Sequence, residues 1–167
     1  MNEFDLKAAG WDQNPMHWDR SVAIVDELLK QVPLNNEMTA LEFGAGTGIT
    51  SFLLKDRLKE ITMMDSSAEM VKVMNEKTIS AKADNLRPLF FNLEKEEWTG
   101  EKFDLLITQM VLHHVSDIDN IFRKFFNIIK PGGYLAIADL YPEDGSFHSE
   151  EFTGHKGFNT NMLADLL

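Results

Sequence analysis

The stretch ALEFGAGTGIT, residues 40–50, places three alternating glycines directly after a short apolar run. Because glycine has no Cβ, the backbone at Gly44, Gly46 and Gly48 can turn sharply and approach a ligand closely. Residues 39–43 are predicted to form a buried strand, and the residues after the loop a helix. A strand, a glycine loop and a helix in this order are typical of a nucleotide-binding unit, in which the helix N-terminus faces the ligand.

Outward from this stretch, apolar strands alternate with amphipathic helices along the chain. Further strands are predicted at 60–64, 86–91, 103–108 and 134–138, and helices after Asn14-Pro15, Ser67, Ser116-Asp117 and near 160–167. Pro88 has no N–H to donate, which predicts an edge position for the third strand. This alternation predicts an α/β fold with a mostly parallel sheet, whose ligands bind outside the carboxyl ends of the strands.

The composition excludes several classes of partner. The chain has 167 residues, which suits one domain over 1–167, and a net charge of −11, which disfavours nucleic acid and anionic membranes as partners. It contains no cysteine, so disulfides and zinc–thiolate sites are excluded. The N-terminus has no apolar signal segment, and no apolar run reaches membrane-spanning length. We therefore expect a cytoplasmic protein.

The spacing of the glycines, and the acid before them, indicate the ligand. A dinucleotide site has the pattern G-x-G-x-x-G, whereas this loop reads Gly44-x-Gly46-x-Gly48 with Glu42 in front. The Glu42 carboxylate suits an ammonium group better than a pyrophosphate, and Asp65 at the end of the second strand can accept from both ribose hydroxyls. We expect Glu42, the glycine amides and Asp65 to bind the ammonium, carboxylate and ribose of S-adenosylmethionine. A nicotinamide-dependent oxidoreductase is the disfavoured alternative.

Five segments then resemble, in order, the motifs of a known family: LEFGAGTG, MMDSSAEM, FFNLEKEEW, FDLLITQMVLHHV and IIKPGGYLAIADL. This is the family of class I S-adenosylmethionine-dependent methyltransferases, of the methyltransferase-domain type that includes the ubiquinone-biosynthesis enzymes. The resemblance runs from about Trp11 to the end of the chain. It implies a three-layer, Rossmann-like, doubly wound sheet of strand order 3-2-1-4-5 with helices on both faces. It also implies S-adenosylmethionine as methyl donor, with S-adenosylhomocysteine as product.

The resemblance adds residues to the cofactor site. It implies that Asn92, where Asp is commoner, and Leu93 contact the adenine, and that Trp11 belongs to a lid within residues 1–33, which precede the core at 38–167. Gln109 ends the fourth strand, where the methionine moiety is expected, and Met64 is a candidate for the adenine pocket. With these, the predicted cofactor-binding residues are Glu42, Gly44, Ala45, Gly46, Gly48, Met64, Asp65, Ser66, Asn92, Leu93, Gln109 and Trp11.

Catalysis requires few protein groups. In-line displacement at a sulfonium methyl needs no protein nucleophile, and it needs a base only if the acceptor must lose a proton. The candidates near the strand ends are His113, His114, Asp139 and His148, with His155 nearby. Each has an alternative interpretation, because these histidines can pack locally and Asp139 can simply begin a loop. No H-x-x-x-H spacing supports a metal, so no metal site is expected.

One departure from the family leaves alternatives open. Relatives usually end with an antiparallel pair of strands that has no counterpart after 160–167, so the strand at 134–138 is left as an edge. Because an uncovered apolar edge invites pairing, we expect either a longer protein or a homodimer that covers it. The acceptor is expected to be a small molecule, although the attacked atom cannot be read. A catalytically inactive regulatory or scaffold protein that binds S-adenosylmethionine is the alternative function.

Overall fold

The computed structural model describes residues 3–147 and 152–165, and these contain one five-stranded sheet. All neighbouring strands are parallel, in the order β3-β2-β1-β4-β5. The strands are β1 (Thr39–Phe43), β2 (Glu60–Asp65), β3 (Leu86–Phe90), β4 (Phe103–Gln109) and β5 (Ile129–Ala138). The predicted fold class and strand order are confirmed. The order reverses between β1 and β4, so the glycine loop after β1 opens at the switch point where such sheets bind ligands.

The helices begin where the capping residues predicted. They are α1 (Glu3–Lys7), α2 (Pro15–Gln31), α3 (Ile49–Leu54), α4 (Ala68–Ala81), α5 (Ile118–Ile128) and α6 (Thr160–Ala164), with short 3₁₀ turns at Ala8–Gln13 and Leu112–His114. The side chains of Asn14, Ser67 and Asp117 accept hydrogen bonds from backbone amides two or three residues ahead, at 3.0–3.2 Å. Each cap satisfies an N–H that the first turn leaves without a partner. No helix in the described residues is long and apolar enough to cross a membrane.

Two apolar layers enclose the sheet, one on each face. Val25, Leu28, Leu54 and Met74 from α2, α3 and α4 pack against one face. The other face is covered by α5, whose Phe125 is fully buried. Side chains alternate between the two layers along each strand, so both faces of the central strands are apolar and excluded from water. This arrangement confirms helices on both faces of a three-layer fold.

The two edges of the sheet are β3 and β5. Pro88 lies in β3, as its missing N–H predicted. The strand β5 starts at Ile129, earlier than the predicted 134, because α5 ends at Ile128 and the Lys130-Pro131-Gly132-Gly133 segment runs directly into the sheet. Because β5 begins with this segment, its pairing with β4 has a register irregularity between Phe103 and Leu105. A homodimer that covers β5 stays a prediction.

Candidate active site

A cavity of about 1170 Å³ opens at the carboxyl ends of β1, β2 and β4. The glycine loop forms its floor, residues 91–94 form one wall, and the segment 3–12 lies across it as a roof. Most predicted site residues line it together: Glu42, Gly44, Ala45, Gly46, Met64, Asp65, Ser66, Asn92, Leu93, Gln109, Trp11, His113 and His114. Two predicted residues, Gly48 and Asp139, do not line it, and His148 lies outside the described residues. Residues 80 or more positions apart thus meet because parallel strands end at one edge.

The glycines of the loop have different roles. Gly46 has a φ of +57° and faces the cavity, where a Cβ would come only within 3.8 Å of the Trp11 Nε1 atom. Gly48 has a φ of +82° and faces the core, where a Cβ would lie 2.7 Å from Met63 Sδ. Gly48 is therefore needed for a left-handed turn and for packing at the start of α3, rather than for approach to a ligand.

Three amides of the glycine loop already donate to acceptors within the protein. The amide of Ala45 donates to Met64 O at 3.0 Å, and that of Gly48 donates to Ala45 O at 2.8 Å. The Gly46 amide donates to Asp65 Oδ2 at 2.7 Å. The amides of Gly46 and Gly48 therefore already have acceptors, and the contact of the glycine amides with the ligand's carboxylate stays a prediction.

Asp65 is oriented by the backbone at the cavity wall. Its Oδ2 accepts from Gly46 N, and its Oδ1 accepts from Ser67 N at 2.8 Å. Burial raises the pKa of this carboxyl above its ordinary value, although the bonds from the Ser67 and Gly46 amides act in the opposite direction. Each carboxylate oxygen retains a further lone-pair site, so Asp65 can still accept from a diol. Its position thus fits the predicted ribose contact.

Glu42 and Gln109 belong to a polar network under the loop. The buried Glu42 Oε2 accepts from the Ser51 amide at 3.1 Å and from the Ser51 hydroxyl, which ties β1 to α3. Burial raises the pKa of Glu42 to about 7. The Gln109 side chain accepts from Thr50 Oγ1 at 3.0 Å and donates to Ser21 Oγ at 2.9 Å. These bonds hold both predicted residues rigidly at the floor of the cavity.

The roof is attached at two places. Asp5 accepts from Ser67 Oγ at 2.6 Å. Asp12 accepts from the Thr47 hydroxyl and, at 2.6 Å, from Lys77 Nζ, which also donates to Thr47 O. Between these points the Trp11 ring faces the glycine loop. The segment expected to be a lid is thus bonded to α4 and to the loop.

His113 and Asp139 form a buried pair. The Nδ1 atom of His113 lies 2.6 Å from Asp139 Oδ1, and both side chains are 2 % exposed. Asp139 also accepts from the amides of Val111, Leu112 and Leu140. Burial alone would raise the pKa of Asp139, but the bonds from His113 and these amides outweigh it and lower the pKa. An ionised carboxylate only accepts, so His113 Nδ1 donates the proton in this hydrogen bond.

The other candidate histidines lie around the mouth of the cavity. The ring of His114 contacts Phe4 of the roof edge-on at 5.1 Å and Phe152 at 5.3 Å. His155 also lines the cavity. Across residues 3–147 and 152–165, no three histidine or acidic side chains come together as metal ligands would. The expectation that the site needs no metal stays a prediction.

Sequence reasoning missed several residues, among them Arg20, which lines the cavity, and Lys124, which supports its wall. Arg20 lines the cavity from α2, and its Nε atom is buried without a hydrogen-bond partner among the described residues. No sequence signal identifies Arg20, because the contact of His17, one helical turn earlier, with Trp11 of the roof is seen only in the structure. Lys124 is 5 % exposed on α5 and donates to Leu93 O at 2.7 Å and to Glu96 O at 2.8 Å, supporting the 91–94 wall. No sequence signal distinguishes it from a surface lysine.

Comparisons with known proteins identify the family of this chain. The model of a family described as a methyltransferase domain matches residues 34–162. An uncharacterized methyltransferase of Schizosaccharomyces pombe is 31% identical over 118 residues, covering 66% of this chain and 42% of the relative. Trans-aconitate 2-methyltransferase of Methylobacterium radiotolerans is 31% identical over 114 residues, covering 66% and 41%. The solved structure of YcgJ protein from Bacillus subtilis has a TM-score of 0.68 at 25% identity, covering 73% and 53%.

The match and the geometry support one family assignment. The chain spans about half the length of the curated relatives it matches. The residues present fit an S-adenosylmethionine site, because an oriented carboxylate at the end of β2, a glycine loop after β1 and a polar floor meet in one large cavity. The matched residues 34–162 include the whole sheet. The chain therefore belongs to the methyltransferase-domain family and is a class I S-adenosylmethionine-dependent methyltransferase domain.

Proposed function

We propose that this domain transfers the methyl group of S-adenosylmethionine to a small-molecule acceptor that must lose a proton, and that His113 accepts the proton. The observation that carries the proposal is the buried His113–Asp139 pair, of which His113 lines the cavity. When bound, the cofactor supplies an electrophilic methyl group on a sulfonium, and the protein has to align the acceptor and exclude water.

The cofactor residues divide along the cavity. Asp65, with Ser66 beside it, would hold the ribose. Asn92 and Leu93 on the wall, with Met64, would hold the adenine. Glu42 and Gln109 on the floor would hold the methionine end, while Gly44, Ala45 and Gly46 allow close approach and Trp11 covers the ligand. Gly48 supports the loop from below. This division is supported by the lining of the cavity and by the hydrogen bonds that orient Asp65 and Gln109.

His113 has the arrangement of a general base. Asp139 holds the proton on Nδ1, so Nε2 is the nitrogen that takes a proton from the acceptor. The imidazolium that forms is stabilised by the adjacent carboxylate. His114, with Phe4 and Phe152 against its ring, would shape the pocket in which the acceptor lies. Asp139 then acts through His113 as a positioning residue.

The size of the cavity supports a small acceptor. Ligand pockets commonly span about 300–1,000 Å³. A volume of about 1170 Å³ leaves room for a second, small molecule beside a nucleoside cofactor. One relative, similar over 66% of this chain, is named for trans-aconitate, a small organic acid. We therefore place small acids first among the acceptors to be screened.

A transfer assay tests the proposal. Purified protein is incubated with S-adenosylmethionine labelled on its methyl group and with panels of small carboxylic acids, phenols and amines. We expect methylation of at least one panel, and a fall in kcat of about 100-fold or more for His113→Asn and Asp139→Asn, since general-base catalysis contributes about 10²–10⁴-fold. Asp119→Asn, on the exposed side of α5, is the matched control for removal of one carboxylate.

Cofactor binding separates the alternatives. The His113→Asn variant should bind S-adenosylmethionine as tightly as the wild type, because His113 is assigned to the acceptor. Full activity in that variant would refute its role as base. Tight cofactor binding by the wild type without transfer to any acceptor would favour a non-catalytic binding domain.

A further inference from the structure

Arg20 is a cationic side chain at the cavity for which the described residues supply no hydrogen-bond partner. Its side chain is partly buried, and its Nε atom is excluded from solvent without a hydrogen bond to any described residue. No carboxylate in the described residues forms an ion pair with it. Lys7 also lines the cavity, but its ammonium is paired with the Glu3 carboxylate at 2.9 Å. Because withdrawing a charge from water is costly unless the charge is paired, an anionic group of a ligand would stabilise this partly buried guanidinium.

The acids of the cavity do not serve as that anion. Both oxygens of Asp65 accept from backbone amides, and Glu42 accepts from Ser51. Burial raises the pKa of Glu42 to about 7, which reduces its negative charge at neutral pH. The amides of the glycine loop are also unsuited to bind an anion, because three of them donate within the protein. Arg20 is therefore the strongest available donor for a ligand carboxylate.

The position of Arg20 suits a ligand in the middle of the cavity. It precedes Ser21, whose hydroxyl accepts from Gln109 at the end of β4. It follows by one helical turn His17, whose ring stacks on Trp11 of the roof at 4.1 Å. Arg20 thus lies between the floor and the roof. A guanidinium presents a planar fork of N–H donors that matches the two oxygens of a carboxylate.

We propose that Arg20 binds a carboxylate in this cavity, contributed either by the methionine end of S-adenosylmethionine or by the methyl acceptor. The proposal rests on the proposed function, because it assumes that the cofactor and an acceptor share the cavity. It makes Arg20 a binding residue for an anionic group and replaces the glycine amides in that role.

Binding measurements distinguish the two sources. Isothermal titration compares S-adenosylmethionine with decarboxylated S-adenosylmethionine, which keeps the ammonium and sulfonium but lacks the carboxylate. The proteins are the wild type, Arg20→Met, Arg20→Lys and, as the matched control, Arg57→Met on the exposed surface. A second titration adds succinate, or the uncharged succinamide, to protein saturated with S-adenosylhomocysteine. Thermal melting of each variant shows that it is folded.

If Arg20 binds the carboxylate of the cofactor, its replacement should affect only the compound that carries this group. Arg20→Met should weaken the binding of S-adenosylmethionine by about 10- to 100-fold, the range expected for a hydrogen bond to a charged group. The affinity for decarboxylated S-adenosylmethionine should not change. Arg20→Lys should recover part of the loss. If Arg20 instead binds the carboxylate of the acceptor, Arg20→Met should keep its affinity for both cofactor compounds. The wild type should then bind succinate but not succinamide, and Arg20→Met should bind neither.

Two further results have distinct meanings. In the first, Arg20→Met changes neither the ratio of the affinities for the two cofactor compounds nor the affinity for succinate. This result would overturn the assignment of Arg20 and leave the proposed function standing. If the folded wild type binds neither cofactor compound, the proposed function fails together with the inference.

Discussion

Replacing Lys124 by methionine should destabilise the protein and weaken cofactor binding together. Lys124 is buried on α5, and its ammonium donates to Leu93 O at 2.7 Å and to Glu96 O at 2.8 Å. Its ion pair with Glu97, at 3.1 Å, adds little because that carboxylate is 71% exposed. Methionine keeps the apolar stem but leaves the two carbonyls without a donor.

The magnitude follows from those two bonds. Hydrogen bonds to charged groups are each worth about 1.5–3 kcal/mol, and relief from burying the ammonium offsets part of the loss. We expect a net loss of about 2–4 kcal/mol in the free energy of unfolding, or roughly 5–15 °C in Tm for a domain of this size. S-adenosylhomocysteine should also bind more weakly, because Asn92 and Leu93 stand on the segment that Lys124 supports.

Urea unfolding and isothermal titration of Lys124→Met check both effects. The matched control is Lys95→Met, an exposed lysine in the same segment, which should change stability by less than about 0.5 kcal/mol. If Lys124→Met were as stable as this control, the bonds to the wall would have no energetic role. A loss of stability with undiminished cofactor affinity would show that the wall does not depend on them for its shape.

Two other predictions concern the floor of the site. Gly48→Ala should lower the free energy of unfolding in urea by about 2–3 kcal/mol, because of the φ of +82° and the 2.7 Å approach of the new Cβ to Met63 Sδ. Gly132→Ala is the control for the backbone strain alone, since Gly132 has a similar φ but no atom within 4 Å of the new Cβ. Equal losses of stability in the two variants would show that the contact with Met63 has no energetic cost. The pKa of Glu42 is raised to about 7, so the folded state binds the proton more tightly than the unfolded chain does, and stability should fall as pH rises from about 4.5 to 7. Relative to Glu42→Gln, the wild type should lose up to ~3 kcal/mol across that window, and parallel stability profiles for the two proteins would contradict the shift.

Local signals account for what the sequence predicted correctly. The caps at Asn14, Ser67 and Asp117 act within three residues, and the apolar strands need only their own side chains to be recognised. The strand order followed from the family resemblance and was confirmed. The early start of β5 was missed because Pro and Gly usually end a helix before a loop, whereas here the sheet edge accepts the irregular segment at once.

The rest of the site depends on tertiary contacts. The pairing of His113 with Asp139 joins the ends of neighbouring strands, and no spacing in the sequence encodes that distance. Gly48 and Gly46 look alike in the loop, but only the packed structure decides that one faces Met63 and the other faces the cavity. Arg20 was missed because its function depends on which charges around it already have partners.

The roof has a consequence for the order in which ligands bind. Its two attachments, Asp5 to Ser67 and Asp12 to Thr47 and Lys77, lie on the side of the cavity that carries Asp65. The same segment places Phe4 against His114, on the side proposed for the acceptor. The proposed acceptor pocket therefore shares one continuous segment with the cofactor side of the cavity. With the proposed function, this arrangement predicts ordered turnover, in which S-adenosylmethionine binds first and S-adenosylhomocysteine leaves last.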